Sequence, residues 1–232
     1  MKKTIIITGS SSGLGYALAK ELSKKYKIIG CGRRSLKTNF QNYHVVDFTN
    51  TNKVERWIKE VLRNNSNIYG FVNNASMIPV QHPALLYDSD LINNVSDVNI
   101  SSQLILMINI AKYFLKNKNK TGRIINISSM SAALNENGTS LYAASKVFNE
   151  KFLTIFSKEL SKTNITCNTI GITYFNSASF KQLNKYILKK SFDKTNIKRT
   201  LTIKEIMHTV NFLLDNKSSI ITGQKLYLGM SI

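Results

Sequence analysis

Three side chains in the middle of this sequence have the types and spacing needed for acid–base chemistry at a carbonyl oxygen. Tyr142 and Lys146 lie one turn apart in a predicted helix, so the Lys146 ammonium can lie near the Tyr142 phenol. A free phenol has a pKa of about 10, too high for efficient proton exchange near neutrality, and a neighbouring cation favours the phenolate. Ser129 ends a predicted strand just before this helix, where its hydroxyl can hydrogen-bond and orient a substrate oxygen.

The Tyr-x-x-x-Lys pattern is weak by itself, because the chain contains three copies of it. We interpret the copy at 16–20 as structural, since it lies in the helix after a glycine-rich turn, and the copy at 186–190 as surface, since it lies in a lysine-rich segment. Only the middle copy follows a strand at the spacing that places Ser129 opposite Tyr142. Context therefore selects the middle copy.

Asn99 lies in the predicted helix before the serine strand. It is a candidate to hold a water molecule that relays protons towards Lys146, and an ordinary helix asparagine is the alternative. The cysteines lack metal-ligand partners such as a nearby CxxC, so we predict no metal. The candidate catalytic set is Asn99, Ser129, Tyr142 and Lys146.

A glycine-rich turn lies between the first predicted strand and the first predicted helix. Residues without a β-carbon let backbone amides approach a pyrophosphate, which is also stabilised by the helix N-terminus. A plain tight connection is the alternative; a Walker loop is excluded, since no Gly-Lys-Ser/Thr closes the turn. The candidate cofactor-binding residues here are Gly9, Ser11, Ser12, Gly13, Leu14 and Gly15.

The end of the second predicted strand indicates which dinucleotide is bound. A free ribose diol is usually bound there by Asp or Glu, whereas this strand is followed by Arg33 and Arg34. The planar guanidinium suits a phosphate on the 2′ oxygen, so we predict NADP(H) rather than NAD(H). Two solvated loop arginines are the alternative.

Two further candidate groups follow the next strands. Asp47 and Phe48 come after the third, and Asn74 and Ala75 come after the fourth. Ligands of open α/β sheets bind at the carboxyl ends of strands, so we assign these residues to the cofactor site.

Short aliphatic runs alternate with longer amphipathic stretches along the chain. The runs lack clean alternation, as expected for strands buried on both faces of a parallel sheet. We predict a Rossmann-like, doubly wound α/β fold in one domain, 1–232. The predicted strands are 4–8, 27–32, 43–46, 68–72, 123–128, 165–171 and 225–228, and the predicted helices 13–25, 51–64, most of 88–117, 140–162 and 202–215.

Composition places limits on the setting of the protein. The chain has 232 residues, no signal-peptide pattern and no uninterrupted apolar run of membrane-spanning length, which favours the cytoplasm. The net charge of +19 is spread along the chain with many Asn and Ile residues, and we attribute it to composition, as an AT-rich genome would give. Basic surfaces also attract nucleic acid, anionic lipid or acidic proteins, but signatures of nucleic-acid-binding folds are not evident.

Taken together, these motifs resemble the compact, single-domain short-chain dehydrogenase/reductase family over nearly the whole chain. The resemblance includes the TGxxxGxG turn, the NNA segment at 73–75, the catalytic candidates and the ITGQ segment at 221–224. It implies a seven-stranded sheet, an Asn-Ser-Tyr-Lys catalytic set, and a homodimer or homotetramer. It also implies that Asp47 meets the adenine, that Asn74 and Ala75 flank the adenosine ribose, and that Lys146 binds the nicotinamide ribose.

Three positions depart from the family pattern. Ser76 replaces the glycine of NNAG, and Ile172-Thr173 replaces a Pro-Gly pair that normally runs beside the nicotinamide. The second departure affects the cofactor role expected of Ser177. The chain also ends short of the usual glycine pair, at 228–232.

The segment 174–200 is the predicted substrate lid, with aromatic and basic residues mixed. A basic rim around an apolar mouth suits an acyl chain on an acidic carrier, and a flexible lid with the lysine bias of the whole chain is the alternative. We therefore predict an NADP(H)-dependent reductase of a carbonyl compound, with 3-oxoacyl-carrier reductase as a candidate. A non-catalytic NADP(H)-binding scaffold or sensor is the competing hypothesis; a sugar epimerase or dehydratase would need a larger C-terminal domain.

Overall fold

Parallel strands form one central sheet, as the aliphatic runs predict. The computed structural model describes residues 2–36, 42–81, 83–116, 121–175 and 192–231. Within these residues the sheet has seven strands in the order β3-β2-β1-β4-β5-β6-β7, and all neighbours pair in parallel. The strands are β1 (Thr4–Thr8), β2 (Lys27–Gly32), β3 (Tyr43–Val45), β4 (Ile68–Asn73), β5 (Thr121–Ser129), β6 (Asn164–Ile172) and β7 (Lys225–Leu228).

Helices connect the strands and cover both faces of the sheet. A π-helical turn, Asp97–Ser101, joins α3 to α4. The helix predicted over most of 88–117 is therefore present and contains this turn. The helices of the described part are α1 (Gly13–Leu22), α2 (Thr51–Asn64), α3 (Ser89–Ser96), α4 (Ser102–Lys116), α5 (Ser131–Leu134), α6 (Ser140–Glu159) and α7 (Ile203–Leu214).

The first predicted helix, 13–25, is three residues too long at its C-terminus. The chain turns after Leu22, where the Lys25 and Tyr26 amides donate to the Leu22 carbonyl. This turn buries Tyr26 in the core before β2 begins.

The central strands β1, β4, β5 and β6 are buried on both faces, which explains why they read as continuous aliphatic runs. Successive residues of β1 point to opposite sides. Ile6 packs in the layer of α2, α4 and α6, and Ile5 and Ile7 pack in the layer of α1 and α7. The predicted Rossmann-like fold is confirmed.

The strand order places β1 beside β4. Strands β2 and β3 lie on one side of β1, and the chain then crosses to the other side, where β4 to β7 follow. The loops that follow these two strands therefore diverge from neighbouring points on the carboxyl edge. Ligands of open α/β sheets bind at such a switch point. The glycine-rich turn and the segment after β4, both predicted to bind a cofactor, lie here.

The helical stretch Ser89–Lys116 is long and apolar enough to cross a membrane, judged by length and composition within the described residues. Asp97 and Lys112 lie within this stretch. Its α4 part packs against α2, β4 and β5, with Leu106 and Phe114 fully buried. This is the packing of a core helix.

The predicted single domain and the lid at 174–200 stay predictions. Residues 176–191, most of that segment, lie outside the described residues. Its two ends meet: the Leu201 amide donates to the Tyr174 carbonyl over 2.7 Å, and the Tyr174 and Phe192 rings pack edge to face at 5.7 Å.

Candidate active site

The turn between β1 and α1 depends on glycine for space. Gly9 has φ +66°, and a β-carbon there would lie 2.8 Å from Ala75 Cα. A β-carbon on Gly15 would collide with the Gly9 carbonyl and with Asn74 Nδ2. The Ser12 side chain makes no capping bond to α1. The turn is thus packed on its inner side, and the amides at the start of α1 remain suited to an anion.

Side chains of β1 and the segment after β4 hold the two loops together. Thr8 Oγ1 accepts hydrogen bonds from the Asn74 and Ala75 amides, over 3.0 and 2.9 Å. Asn74 Nδ2 donates to the Thr8 carbonyl over 3.0 Å. The structure therefore brings the predicted residues Gly9, Asn74 and Ala75 into direct contact.

The remaining predicted cofactor residues lie at the ends of β2 and β3. Arg33 and Arg34 are exposed. Asp47 is exposed, and its Oδ1 accepts from the amide and the hydroxyl of Thr49. Phe48 is in the hydrophobic core, so its side chain packs with the fold and only its backbone is left for a cofactor contact.

Tyr142 and Lys146 lie on α6, and Ser129 ends β5. Lys146 Nζ is 5.6 Å from the centroid of the Tyr142 ring and donates to the Ile127 carbonyl over 3.2 Å. Lys146 is buried, whereas Tyr142 and Ser129 are half-buried. Ser129 Oγ accepts from the Ser131 amide over 3.2 Å. The phenol and the hydroxyl thus remain partly open to a ligand, while the ammonium is held behind the phenol.

Asn99 lies in the π-helical turn and is buried. Its Oδ1 accepts from the Met77 amide over 2.8 Å, and its Nδ2 donates to the Met77 carbonyl over 2.9 Å and to Ser145 Oγ over 3.1 Å. Its carbonyl accepts from Asn149 Nδ2 over 2.6 Å. The Asn99 side chain therefore clamps the segment after β4 to α6. Its role in a water relay stays a prediction.

Sequence reasoning missed the residues that support this site. Thr8 ties the two loops together, Ser145 bonds Asn99, and Asn149 bonds the π-helical turn. Threonine, serine and asparagine are common, and their partners are distant in the sequence. Thr8 begins the TGxxxGxG turn and Ser145 precedes Lys146, so both had a sequence signal, whereas Asn149 had none.

Comparison with known proteins identifies the family. The model for short chain dehydrogenases matches residues 3–187. The chain belongs to the short-chain dehydrogenase/reductase family. It is similar to the 3-oxoacyl-(acyl-carrier-protein) reductase FabG of Buchnera aphidicola subsp. Baizongia pistaciae (strain Bp), with 32% identity over 245 residues, covering 98% of this chain and 96% of that protein.

Solved structures of the family share its fold. 4-Hydroxyisoleucine dehydrogenase complexed with NADH superimposes with a TM-score of 0.89 at 23% identity, covering 98% of each chain. A variant of actinorhodin polyketide ketoreductase with NADPH gives a TM-score of 0.87 at 20% identity, covering 98% of this chain and 95% of that one. By its family, this short-chain dehydrogenase/reductase is an oxidoreductase, and the two solved structures share its fold.

The departures from the family pattern are accommodated locally. Ser76 Oγ donates to Asn99 Oδ1 over 3.3 Å, so the serine joins the clamp. Without Pro-Gly, β6 continues to Ile172, which pairs with Ser129 and whose carbonyl accepts from the Met130 amide over 2.9 Å. The end of β6 is thereby fixed beside the candidate catalytic serine.

The residues present fit a nicotinamide dinucleotide. The glycine turn presents amides at the start of α1, at the switch point of the sheet. Thr173, after β6, has a buried hydroxyl without a hydrogen-bond partner in the part of the chain that the structure describes. A buried unpaired hydroxyl is costly, and a polar ligand group would satisfy it. Ser177, the other residue predicted there, lies outside the described residues.

Among the described residues, no three His, Cys, Asp or Glu side chains come together as a metal site. The absence of a metal from the mechanism stays a prediction.

Proposed function

We propose that this enzyme is an NADP(H)-dependent reductase that converts the carbonyl of a 3-oxoacyl group to an alcohol. The observation that carries the proposal is the arrangement of Ser129, Tyr142 and Lys146 at the carboxyl edge of the sheet that also presents the glycine turn. The relative at 32% identity, named a 3-oxoacyl-(acyl-carrier-protein) reductase, supports the substrate class.

In this mechanism Tyr142 donates its phenolic proton to the substrate oxygen. Ser129 donates a hydrogen bond to the same oxygen and orients the carbonyl. The buried Lys146 ammonium stabilises the phenolate that remains and binds the nicotinamide ribose. The nicotinamide, when bound, supplies the hydride. Asn99 keeps the segment after β4 against α6 and holds the water that returns a proton towards Lys146.

The preference for NADP(H) is supported by the end of β2. Arg33 and Arg34 are exposed there, and the described residues that follow, up to Leu36, include no carboxylate. Arginine binds phosphate through charge and paired hydrogen bonds, whereas a carboxylate would repel it. The structural neighbours were solved with NADH in one case and NADPH in the other, so the fold alone does not decide between them.

An acyl chain on a carrier protein is the proposed substrate form. The net charge of +19 favours acidic partners. In the described part of the lid, however, Lys194 pairs with Glu136, Arg199 pairs with Glu205, and Lys198 Nζ donates to a backbone carbonyl. The proposal for a carrier-linked substrate therefore rests on the relative rather than on these side chains.

The proposed setting is a homodimer or homotetramer in the cytoplasm. Exposed apolar side chains on α6 support subunit packing. Cys31 and Cys167 are free and buried, which suits a reducing compartment. Burial raises the pKa of the Cys167 thiol to about 12.

The cofactor assignment is tested by titrating the purified protein with NADPH and NADH and following nicotinamide fluorescence. We expect NADPH to bind about tenfold more tightly or better, because each arginine contact to a phosphate is charge-assisted. The double variant Arg33→Ala/Arg34→Ala should lose this preference and keep its NADH affinity. Tighter binding of NADH by the wild type would contradict the assignment.

The substrate class is tested by NADPH oxidation with a panel of acetoacetyl thioesters, diketones, quinones and aldehydes. We expect turnover with the 3-oxoacyl thioesters, and faster turnover when the acyl group is on a carrier protein. Oxidation only by another carbonyl class would overturn the substrate proposal. NADPH binding without turnover on any compound would support the non-catalytic scaffold instead.

A further inference from the structure

Tyr43, the first residue of β3, lies where the loops after β1 and β2 meet. Its hydroxyl donates a hydrogen bond to the Arg34 carbonyl over 2.7 Å. The Ser11 side chain, from the glycine-rich turn, lies on the same side of Gly32 as this hydroxyl. The phenol therefore lies beside two segments that are distant in the sequence.

The space around this phenol is shaped by the glycines of β2. A β-carbon on Gly32 would lie 2.7 Å from Tyr43 Oη and 2.9 Å from Ser11 Oγ. A β-carbon on Gly30 would lie 3.3 Å from Tyr43 Cδ2. The Tyr43 ring thus fills the room that both glycines leave open. Partial burial raises the pKa of Tyr43 above its usual value, so the phenol stays a neutral donor around neutral pH.

We propose that Tyr43 is a positioning residue that sets the preference for a phosphate on the adenosine 2′ oxygen. This inference rests on the proposed NADP(H) function. Ser11 and Arg34 are two predicted cofactor residues. The Tyr43 hydroxyl donates to the Arg34 carbonyl and lies beside Gly32 on the side where the Ser11 hydroxyl also lies. By fixing their separation, Tyr43 prepares a hydroxyl and a guanidinium to act on one anion. Ordering these groups beforehand removes part of the entropy cost of binding.

The uncharged 2′-hydroxyl of NAD(H) gains much less binding free energy from a preordered hydroxyl and guanidinium. Charge-assisted hydrogen bonds to phosphate are about twice as strong as neutral ones. Loss of the Tyr43 hydroxyl should therefore weaken binding of the phosphorylated cofactor selectively.

The test uses calorimetric titration of wild type and Tyr43→Phe with 2′,5′-ADP and 5′-AMP, which differ by the 2′-phosphate. We expect the affinity of Tyr43→Phe for 2′,5′-ADP to fall about three- to tenfold, the range for one hydrogen bond, and its affinity for 5′-AMP to stay the same. Tyr113→Phe is the matched control, because its hydroxyl donates to the Asn65 carbonyl at the opposite edge of the sheet. It should change neither affinity.

Two results would overturn the inference while leaving the NADP(H) proposal intact. In both results, wild type prefers 2′,5′-ADP. In the first, Tyr43→Phe retains the full preference. In the second, Tyr43→Phe loses affinity equally for the two nucleotides, as general damage to the fold would produce. If wild type itself fails to distinguish the nucleotides, the NADP(H) proposal fails together with the inference.

A double-mutant cycle separates positioning from an independent contact. If Tyr43 acts through Ser11, Ser11→Ala and Tyr43→Phe together should cost less 2′,5′-ADP affinity than the sum of the single losses. If the two single losses of affinity add fully in the double variant, Tyr43 does not act through Ser11. Thermal unfolding of each variant checks that the fold is intact.

Discussion

Lys146 is the residue at which the proposed acid–base and cofactor roles meet. Its surface is only 6% exposed, and its ammonium donates a hydrogen bond to the Ile127 carbonyl. A buried ammonium is costly unless neighbouring groups compensate it. The ring of Tyr142 lies beside it, and the phenolate formed during proton transfer would be its strongest neighbour.

Replacing Lys146 with methionine should lower kcat about a hundredfold or more, because the phenol loses its cation. NADPH affinity should fall as well, since the proposed ribose contact is removed. Lys20→Met is the matched control, because Lys20 occupies the same place in the copy of the motif on α1 and is exposed. Steady-state kinetics and direct NADPH titration measure the two effects. A Lys146→Met enzyme with wild-type kcat would contradict the role.

At the residue scale, sequence context predicts which of the three motif copies is catalytic, and the copy at 186–190 lies outside the described residues. Tyr142 and Lys146 do share one side of α6, as the helical spacing predicts. The hydrogen bonds that support the site were not predictable from the sequence. The partners of Thr8, Tyr43 and Ser145 are distant in the chain and come close only in the folded protein. Nothing in their local sequence marks those partners.

At the element scale, α6 is fastened to the sheet by a buried carboxylate. Glu150 Oε1 accepts hydrogen bonds from Ser128 Oγ over 2.5 Å and from the Tyr227 hydroxyl over 2.7 Å, and its Oε2 pairs with Lys225 over 3.2 Å. These contacts join α6 to β5 and β7. Ser128 directly precedes the candidate catalytic serine, so the clamp also positions the end of β5.

Glu150→Ala should lower the free energy of unfolding by about 3 kcal/mol, because it leaves buried hydrogen-bonding groups without their acceptor. Glu159→Ala, at the exposed end of the same helix, should change it by less than about 0.5 kcal/mol. Urea unfolding measures both. Equal effects for the two variants would show that the clamp adds little.

The N-terminus of α7 carries a pH-sensitive contact. Glu205 completes a capping box with Thr202 and pairs with Arg199. The Arg199 guanidinium, together with the Thr202 hydrogen bonds, lowers the pKa of Glu205 from 4.5 to about 2. Because the pKa of this carboxyl is lower in the folded chain than in the unfolded chain, its ionised form stabilises the fold at pH values above the unfolded-state pKa. This stabilisation is lost as the pH falls through the folded-state pKa.

Wild type should therefore be more stable than Glu205→Gln at pH 7, and the difference should shrink as pH falls from about 5 towards 2. Urea unfolding at several pH values measures this difference. Glu60→Gln, on the exposed side of α2, serves as control. A difference that stays constant with pH would contradict the lowered pKa.

Element positions were largely predictable, because buried strands and amphipathic helices leave periodic patterns in the sequence. The π-helical turn Asp97–Ser101 was not, since one extra residue in a helix scarcely changes hydrophobic spacing. The buried role of Glu150 was not predictable either. A glutamate in a helix normally predicts an exposed face, and its hydrogen-bond partner Tyr227 lies in the last strand, far away in the sequence.

At the scale of the whole molecule, α6 presents apolar side chains outward. Val147, Phe148 and Ile155 are 43% to 46% exposed on the helix that also carries Tyr142. Subunit packing on this side would cover them and stiffen the helix that carries the candidate catalytic tyrosine. This is the surface that we expect the proposed homo-oligomer to use.

The double variant Phe148→Glu/Ile155→Glu should have a lower molar mass than wild type, because buried charges would oppose association. Light scattering coupled to size exclusion measures the mass. Val45→Glu, on the edge strand β3 and 63% exposed, should leave the mass unchanged. A monomeric wild type would contradict the oligomer.

The proposed mechanism requires Tyr142 to protonate a carbonyl oxygen as the nicotinamide supplies hydride. The most direct test is a single-turnover experiment that mixes NADPH-loaded wild type or Tyr142→Phe with acetoacetyl thioester and follows NADPH absorbance. We predict rapid oxidation by wild type, a rate about 10²- to 10⁴-fold lower for Tyr142→Phe, and equal NADPH affinities. A Tyr142→Phe rate close to that of wild type would contradict the acid–base role of Tyr142.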